Sequence, residues 1–240
     1  MKIFDIWKIE FNEIPLSTEL INIISKEEHE KAKKFFKKID YTSYIITHAY
    51  LRIILTNYYK HVKPNDWKFK KNMYGKPQIS NNHDISLYFN LSHTASCVYM
   101  IFSSYKQCGI DVEDKKNIDL DDNMLDLVFS EYEKKYFLNK NKNLSLFYTY
   151  WTLKESYVKA IGEGFNIDPK EVDFKNKVNI DTNKIYFTID EKDHYFVHNF
   201  NDKLFLSYAI LDAKEKELKP KFYEISDLDK TISEKGTLHG

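Results

Sequence analysis

Two carboxylates stand two residues apart in the segment Gly109–Glu113. In a strand, residues two apart share a face, so Asp111 and Glu113 point to the same side. The neighbouring Ile110 and Val112 then point into the core. Carboxylates side by side repel each other unless a cation lies between them, and magnesium takes such oxygen ligands together with substrate phosphates. The pattern predicts a magnesium site, although an exposed strand end with scattered acids explains it as well.

The segment Leu144–Ile161 has the spacing of an amphipathic helix, but charges interrupt its apolar side. Lys154 and Glu155 lie inside the apolar stripe, and Lys159 follows Glu155 by one turn on the same side. Buried charges are costly unless they are paired or bind a ligand. These residues therefore form either a ligand-binding group or an internal Lys154–Glu155 ion network that ties two parts of the fold together. The apolar stripe consists of Leu144, Phe147, Tyr148, Trp151 and Val158.

Two shorter motifs place polar side chains where a ligand could reach them. An apolar strand ends in Asn90-Leu91-Ser92-His93, and a strand end fixes a side chain while exposing it. His93 is therefore a candidate donor to a phosphate oxygen, or else an ordinary structural hydrogen-bonding residue. In Tyr74–Pro77 the glycine permits a tight turn and the proline stiffens its exit, so Lys76 is held toward solvent or a ligand. The spacing is not that of a Walker A loop.

Positive charge comes almost entirely from lysine, because Arg52 is the only arginine. We expect Arg52, inside a predicted helix, to pair with a carboxylate. A phosphate site in this chain must use lysine, histidine, backbone N–H groups or a metal. A basic run could attract nucleic acid, a phosphorylated ligand or an acidic protein, although a solvated helix face explains most of it. The run comprises Lys31, Lys33, Lys34, Lys37 and Lys38, with Phe35 and Phe36 between them.

The elements that must position these residues follow in the order strand, helices, three strands, helices, three strands. We predict an α+β pseudo-dimer of two similar halves, each a small antiparallel sheet packed with helices. The halves are expected at residues 1–105 and 106–215, followed by a partly disordered extension at 216–240 with a frayed tail at Ser233–Gly240. The predicted strands are Lys2–Ile9, Ile85–Leu91, Ser96–Ser103, Cys108–Glu113, Ile185–Ile189, Tyr195–Phe200 and Leu204–Leu211, and the predicted helices are Leu16–Ile24, Glu27–Phe36, Tyr41–Tyr59, Met124–Lys140 and Leu144–Ile161.

The composition argues against several classes of protein. Lysine plus arginine and aspartate plus glutamate both number 36, so the net charge provides no global field for nucleic acid or an anionic membrane. Cys97 and Cys108 form no CxxC pair, and we expect both to be buried free thiols in a reducing cytosol. The sequence has no signal-peptide pattern and no run of about 20 apolar residues, so we expect a cytoplasmic protein.

The succession GKP, N-x-SH, GIDVE and W-x-x-KE-x-x-x-K resembles the phosphopantetheinyl transferase family, in particular the Sfp-like type that activates surfactin-like peptide synthetases. The specific part is the pair GIDVE and WTLKES, and the resemblance covers Met1–Leu211. It implies a pseudo-dimer with coenzyme A in the cleft between the halves, in agreement with the two halves predicted above.

The resemblance also implies roles for individual residues of this sequence. Magnesium ligands would be Asp111, Glu113 and Glu155. Contacts to coenzyme A would come from Lys159 and His93 at the pyrophosphate, from Lys76 and Ser92 at the phosphates of the nucleotide end, and from Lys31 near the 3′-phosphate.

The chain departs from the family pattern in two places. Near the 3′-phosphate it has Glu28 and Ser43-Tyr44 where the family often has further basic residues. Either Lys33 or Lys34 substitutes there, or that phosphate is held more loosely. The region after Phe129 is also shorter than usual, so the resemblance implies less about how a carrier protein docks there.

The implied reaction is attack of a carrier-protein serine on the β-phosphorus of coenzyme A, with adenosine 3′,5′-bisphosphate leaving. Alignment and charge neutralisation provide most of such catalysis. Glu155, directly or through a metal-bound water, is the candidate base. The expected partners are coenzyme A and an apo peptidyl or acyl carrier protein, with no nucleic acid, no membrane and a monomeric enzyme. The alternatives are a magnesium-dependent nucleotide or diphosphate hydrolase and a non-enzymatic coenzyme A or nucleic-acid binding module.

Overall fold

The structure is a computed structural model that describes residues 2–81, 85–174, 178, 184–189, 193–200, 203–213 and 218–228. Its strands are β1 (Phe4–Glu10), β2 (Phe69–Lys71), β3 (Pro77–Ile79), β4 (Tyr88–His93), β5 (Cys97–Ser103), β6 (Gln107–Asp114), β7 (Lys184–Ile189), β8 (Asp193–Phe200), β9 (Leu204–Leu211) and β10 (Lys221–Glu224). Its α-helices are α1 (Thr18–Ile23), α2 (Lys26–Ala32), α3 (Lys38–Tyr58), α4 (Asp122–Val128), α5 (Glu131–Asn139) and α6 (Leu144–Ile161).

The structure contains two four-stranded sheets, one built mainly from each predicted half. The first sheet has the order β10-β1-β5-β4, in which β1 and β4 run antiparallel to β5 while β10 runs parallel to β1. The second sheet has the order β6-β9-β8-β7 and is antiparallel throughout. The prediction of an α+β fold with small antiparallel sheets and helices is confirmed, and β2 and β3 add a separate hairpin.

Side-chain alternation divides the interior into three layers. On one face of the first sheet, Trp7 and Phe102 pack with Ile54 of α3. On one face of the second sheet, Phe205 packs with Leu153 of α6. The opposite faces of the two sheets contact each other in a third apolar cluster, which includes Phe4, Ile6, Cys97, Tyr99, Ile101, Cys108, Ile110, Val112, Tyr208 and Ile210. The sheets therefore lie in the middle, and the long helices lie outside.

Several local predictions are confirmed at the level of single contacts. Ser17 accepts a hydrogen bond from the Leu20 amide at the start of α1, and Ser25 forms a capping box with Glu28 at the start of α2. Arg52 donates to a Glu28 carboxylate oxygen over 2.7 Å. Both cysteines are buried free thiols. Among the described residues, no helix combines the length and the apolarity needed to cross a membrane.

Other element boundaries were wrong. The single helix predicted over Met124–Lys140 is two helices, because Ser130 caps the start of α5 in a capping box with Glu133. The helix predicted over Glu27–Phe36 ends at Ala32, so most of the basic run lies beyond it. The segment interpreted as a loop after Pro64 contains β2 and β3.

The C-terminal region contains a strand that the sequence analysis did not predict. Strand β10 pairs with β1, so the segment after the second half returns to the first sheet. The apolar residues Tyr223 and Leu228 pack against the core of the first half. The expected domain bounds near residues 105 and 215 stay a prediction, and the expected frayed tail lies outside the described residues.

Candidate active site

The candidate site lies where an edge strand of each sheet meets the other. Strand β4 lies beside β6: the Asn90 side-chain oxygen accepts a hydrogen bond from the Ile110 amide over 3.0 Å. Next to this contact, Ser92 Oγ of β4 donates to Asp111 Oδ1 of β6 over 2.9 Å. The two motifs N-x-SH and GIDVE, which lie in different predicted halves, are therefore joined side by side.

Helix α6 approaches β6 closely because position 109 is glycine. A Cβ atom at Gly109 would lie 2.0 Å from the Ser156 carbonyl oxygen and 2.4 Å from the Ala160 nitrogen. Both are backbone atoms of α6, so a side chain at position 109 would force the helix away from the strand. The glycine of GIDVE thus allows the charged residues of α6 to lie against the acids of β6.

Asp111 is the centre of the polar network. Asp111 is 3% exposed. Lys159 Nζ donates to Asp111 Oδ1 over 2.6 Å and to Ser92 Oγ over 3.0 Å. The second oxygen, Asp111 Oδ2, is buried and has no hydrogen-bond partner among the described residues. Since an unpartnered buried carboxylate oxygen is costly, this atom favours binding a cation.

Two more carboxylates face Asp111. Burial raises the pKa of Glu113, and the Asp111 charge raises it further. Burial and then Asp111 likewise raise the pKa of Glu155. The indole nitrogen of Trp151 donates to Glu113 over 3.4 Å, which joins α6 to β6 once more. The three carboxylates are close enough to repel one another, so a cation between them would lower their electrostatic energy.

The three carboxylates are of the kind that binds magnesium, although their oxygens do not lie close enough together to coordinate one ion. Within residues 2–81, 85–174 and the other described segments, no group of three or more His, Cys, Asp or Glu side chains lies close enough to hold a metal. Carboxylate oxygens are nevertheless the ligands that magnesium prefers, and substrate phosphates complete its coordination in many enzymes. The unpartnered Asp111 Oδ2 provides one such ligand atom. The metal roles of Asp111, Glu113 and Glu155 remain predictions.

A cavity of about 580 Å³ on one side of this network holds further predicted residues. Lys31, His93 and Glu113 all line it. Desolvation lowers the pKa of His93, and the neighbouring Lys159 ammonium lowers it further. The Lys31 ammonium lies 5.2 Å from the centre of the Tyr44 ring. The structure thus brings together His93, Lys31 and the acidic cluster, although their ligand contacts stay predictions.

A second cavity, of about 750 Å³, lies along α6 and is lined mainly by apolar groups. Trp151, Val158, Ile167 and Pro169 line it together with Glu155. Trp151 is half-buried, so the sequence prediction that it sits in the core stripe is corrected: the residue forms part of the cavity wall and also packs on Phe147.

Lys76 is engaged differently from the role that the resemblance implies. Its Nζ donates to the carbonyl oxygen of Cys108 over 3.1 Å and to that of Ala160 over 2.9 Å. Burial lowers the pKa of Lys76. The phosphate role of Lys76 stays a prediction.

The proposed Lys154–Glu155 ion network was wrong. Lys154 is 1% exposed and its Nζ binds Glu133 Oε2 over 2.5 Å, while Glu155 faces the acidic cluster. Successive helical residues point in different directions, which separates the two charges of the KE motif. Glu133 was missed by the sequence analysis, although its place in a Ser-x-x-Glu capping box was a usable signal. Asn90 was missed as a bridging residue, and its contact to β6 has no local signal.

Comparison with known proteins agrees with this arrangement. Residues 107–210 match a family model described as the 4′-phosphopantetheinyl transferase superfamily. Residues 7–105 match one described as 4′-phosphopantetheinyl transferase, N-terminal. The two matched regions meet close to the boundary between the predicted halves.

Similar individual proteins include three transferases. The 4′-phosphopantetheinyl transferase Sfp of Bacillus subtilis is 31% identical over 171 residues, which cover 70% of this chain and 73% of that protein. The 4′-phosphopantetheinyl transferase gsp of Aneurinibacillus migulanus is 39% identical over 101 residues, 41% of this chain and 40% of that protein. The L-aminoadipate-semialdehyde dehydrogenase-phosphopantetheinyl transferase of Saccharomyces cerevisiae is 29% identical over 113 residues, 45% of this chain and 42% of that protein.

The fold and the site define an α+β protein in which two sheets meet beside a cluster of three carboxylates. The chain belongs to the 4′-phosphopantetheinyl transferase superfamily, as a transferase of the Sfp-like type. Both the pseudo-dimer and the enzyme class expected from the motifs are thereby confirmed.

Proposed function

We propose that this enzyme transfers the 4′-phosphopantetheine group of coenzyme A to a serine of an apo peptidyl or acyl carrier protein, in a magnesium-dependent reaction that releases adenosine 3′,5′-bisphosphate. The observation that carries this proposal is the network of Ser92, Asp111 and Lys159 at the junction of the halves. It joins a lysine to a buried carboxylate with one unpartnered oxygen, and two more carboxylates face it.

Coenzyme A would bind in the cleft through residues of both halves. Lys159 and His93 would contact the pyrophosphate, and Ser92 would contact a phosphate of the nucleotide end. Lys31 would lie near the 3′-phosphate, and its place in the same cavity as His93 supports this assignment. His93 would donate a hydrogen bond through a ring N–H, and Lys159 would add a positive charge.

Asp111, Glu113 and Glu155 would hold magnesium. When bound, the metal supplies charge neutralisation on the pyrophosphate oxygens. The chain supplies the acid cluster in a rigid form, because Asp111 and Glu113 lie in a paired strand and Glu155 lies in the middle of α6. Loss of the Asp111 charge would also leave Lys159 without its ion-pair partner.

In the reaction, the serine oxygen forms a bond to the β-phosphorus, and the bond from that phosphorus to the bridging oxygen breaks. The electron pair stays on adenosine 3′,5′-bisphosphate, where the Lys159 charge and the His93 N–H would offset the growing negative charge. Glu155 would take the serine proton with the carboxylate oxygen that does not hold the metal.

The apolar cavity along α6 would hold the uncharged pantetheine arm of coenzyme A. Trp151, Val158 and Pro169 offer apolar contacts to that arm, and Glu155 lines the same cavity, where the carrier serine would approach. We also propose a cytoplasmic monomer. One chain supplies both sides of the cleft, and its two cysteines are free thiols, which suit a reducing compartment.

The test is intact-protein mass spectrometry of an apo carrier protein incubated with coenzyme A and this enzyme. We expect a gain of one phosphopantetheine group with magnesium and none with EDTA, and Asp111→Asn should abolish the gain. Glu30→Ala, which changes an exposed carboxylate on α2, is the matched control and should act like the wild type.

Two results would contradict the transfer reaction itself. The first is no gain on any peptidyl or acyl carrier while coenzyme A still binds. The second is consumption of coenzyme A without a carrier protein, which would indicate the hydrolase alternative. A gain that persists in EDTA would reject the metal while leaving the transfer.

A further inference from the structure

The turn between β2 and β3 contacts the C-terminal end of α6. Asn72 Nδ2 donates to the Gly162 carbonyl oxygen over 2.7 Å, and Lys76 Nζ donates to that of Ala160 over 2.9 Å. The last carbonyls of a helix have no intrahelical partner and carry the negative end of its dipole. An amide donor and an ammonium from the other predicted half therefore satisfy the end of the helix that carries Glu155.

The turn is built to aim these two side chains. Asn72 Oδ1 accepts hydrogen bonds from the amides of Tyr74 and Lys76, over 3.0 and 2.9 Å. The Asn72 amide donates to the Lys76 carbonyl oxygen, and Gly75 takes the positive φ of +96° that closes the turn. Because Asn72 binds both the turn and α6, it fixes Lys76 relative to the helix.

Lys76 also reaches the strand that carries the acids. Its Nζ donates to the Cys108 carbonyl oxygen of β6 over 3.1 Å, so one ammonium joins α6 and β6. The aliphatic stem packs over Gly162, where a Cβ atom would lie 2.5 Å from Lys76 Cδ. Burial lowers the pKa of Lys76, as expected for an ammonium enclosed by protein.

We infer that Lys76 is a positioning residue for the transfer reaction, which acts through the backbones of α6 and β6 instead of through a phosphate. This inference rests on the proposed function. Ala160 directly follows Lys159, and Cys108 lies three residues before Asp111, so the carbonyls that Lys76 joins flank the two partners of the central ion pair. The resemblance instead implies that Lys76 binds a phosphate of coenzyme A.

A comparison of Lys76→Met with Asn72→Ala distinguishes a positioning role of Lys76 from binding of a phosphate. An asparagine amide cannot replace a cation at a phosphate, but it shares the contact with the end of α6. Lys71→Met is the control, because it removes an exposed lysine from the same hairpin. The measurements are steady-state transfer kinetics with varied coenzyme A and hydrogen exchange of the amides in residues 107–111 and 158–162.

We expect both Lys76→Met and Asn72→Ala to lower kcat by about tenfold or more with the KM for coenzyme A within about twofold, since small misplacements of catalytic groups are costly. Hydrogen exchange at both segments should be faster in both variants, and Lys76→Arg should recover part of kcat by donating to the same carbonyls. Lys71→Met should match the wild type.

Three results would overturn the inference. One is a rise of about tenfold in KM with unchanged kcat in Lys76→Met while Asn72→Ala is unaffected, which is the pattern of a lost ground-state contact. Another is unchanged hydrogen exchange in Lys76→Met. The third is full kcat in either variant. If the wild type transfers nothing, the proposed function fails by itself, and the exchange data still decide whether Lys76 holds α6 against β6.

Discussion

The buried ion pair of Lys154 and Glu133 should hold part of the wall of the apolar cavity in place. Lys154 is 1% exposed and Glu133 is 0% exposed. Lys154 Nζ also donates to the Pro169 carbonyl oxygen over 3.0 Å, and Glu133 Oε1 accepts from the Phe174 amide over 2.8 Å. The pair therefore fastens both ends of the segment 169–174, and Pro169 lines the cavity beside Glu155.

Lys154→Met should remove the cation and leave the Glu133 charge buried. Removal of one partner from a buried ion pair typically costs about 3–5 kcal/mol in the free energy of unfolding. Burial itself lowers the pKa of Lys154, so the ammonium is held there by Glu133 and not by solvent. Glu133→Gln combined with Lys154→Met leaves no buried charge, and should be more stable than Lys154→Met by about 1–3 kcal/mol.

The assay is urea unfolding at pH 7 of the wild type, both single variants and the double variant, with transfer rates measured on the same proteins. We expect coupling between the two positions and slower transfer in Lys154→Met, because the segment 169–174 loses an anchor. A Lys154→Met protein within about 0.5 kcal/mol of the wild type would refute the argument, as would additive single effects.

Two further predictions follow from contacts near the site. Gly109→Ala should lower the free energy of unfolding by about 1–3 kcal/mol and also slow transfer, because α6 must move away from β6. Thermal unfolding and the mass assay test this, and unchanged stability and transfer would contradict the close approach of α6 to β6. Although burial acts in the opposite direction, hydrogen bonds from His48, the Ser25 amide and Arg52 lower the pKa of Glu28 to about 2. At about 1.4 kcal/mol per pKa unit, Glu28→Gln should cost about 3 kcal/mol at pH 7, and the difference should vanish as the pH falls from about 5 through 2 because the stability from a lowered carboxyl pKa exists only above that range. Urea unfolding of the wild type and Glu28→Gln at several pH values measures this difference. A difference in the free energy of unfolding that does not change with pH would contradict a stabilising Glu28 charge.

The local part of the fold could be predicted from the sequence. The bounds of α6 and of β5 follow from a helical apolar stripe and from a continuous apolar run, and both are decided by neighbouring residues. The facing of Asp111 away from Ile110 also follows from strand alternation alone. Ser25 and Ser130 begin helices with the same capping pattern, so the break before α5 was predictable but was hidden by a helical pattern on both sides.

The contacts that build the site could not be predicted in this way. Lys76 binds a carbonyl 84 residues away, and Asn90 binds an amide 20 residues away. No periodicity relates such residues, and a lysine in a tight turn has the same local sequence whether it binds a phosphate or the end of a helix. The motif order identified the family, but the contacts of the hairpin with the end of α6 arise from packing and have no signal in the local sequence.

The two halves should unfold together, because apolar and polar groups that are buried where the halves meet would lose their partners if the halves separated. The third apolar cluster takes Ile6 and Ile101 from the first sheet and Ile110 and Tyr208 from the second, so separation would expose both faces to water. Asp111 would lose its Ser92 bond at the same time. We therefore expect a single cooperative transition in calorimetry, with equal calorimetric and van't Hoff enthalpies. Two resolved transitions would show that the halves are independent domains, and the cleft would then be an interface that a ligand must close.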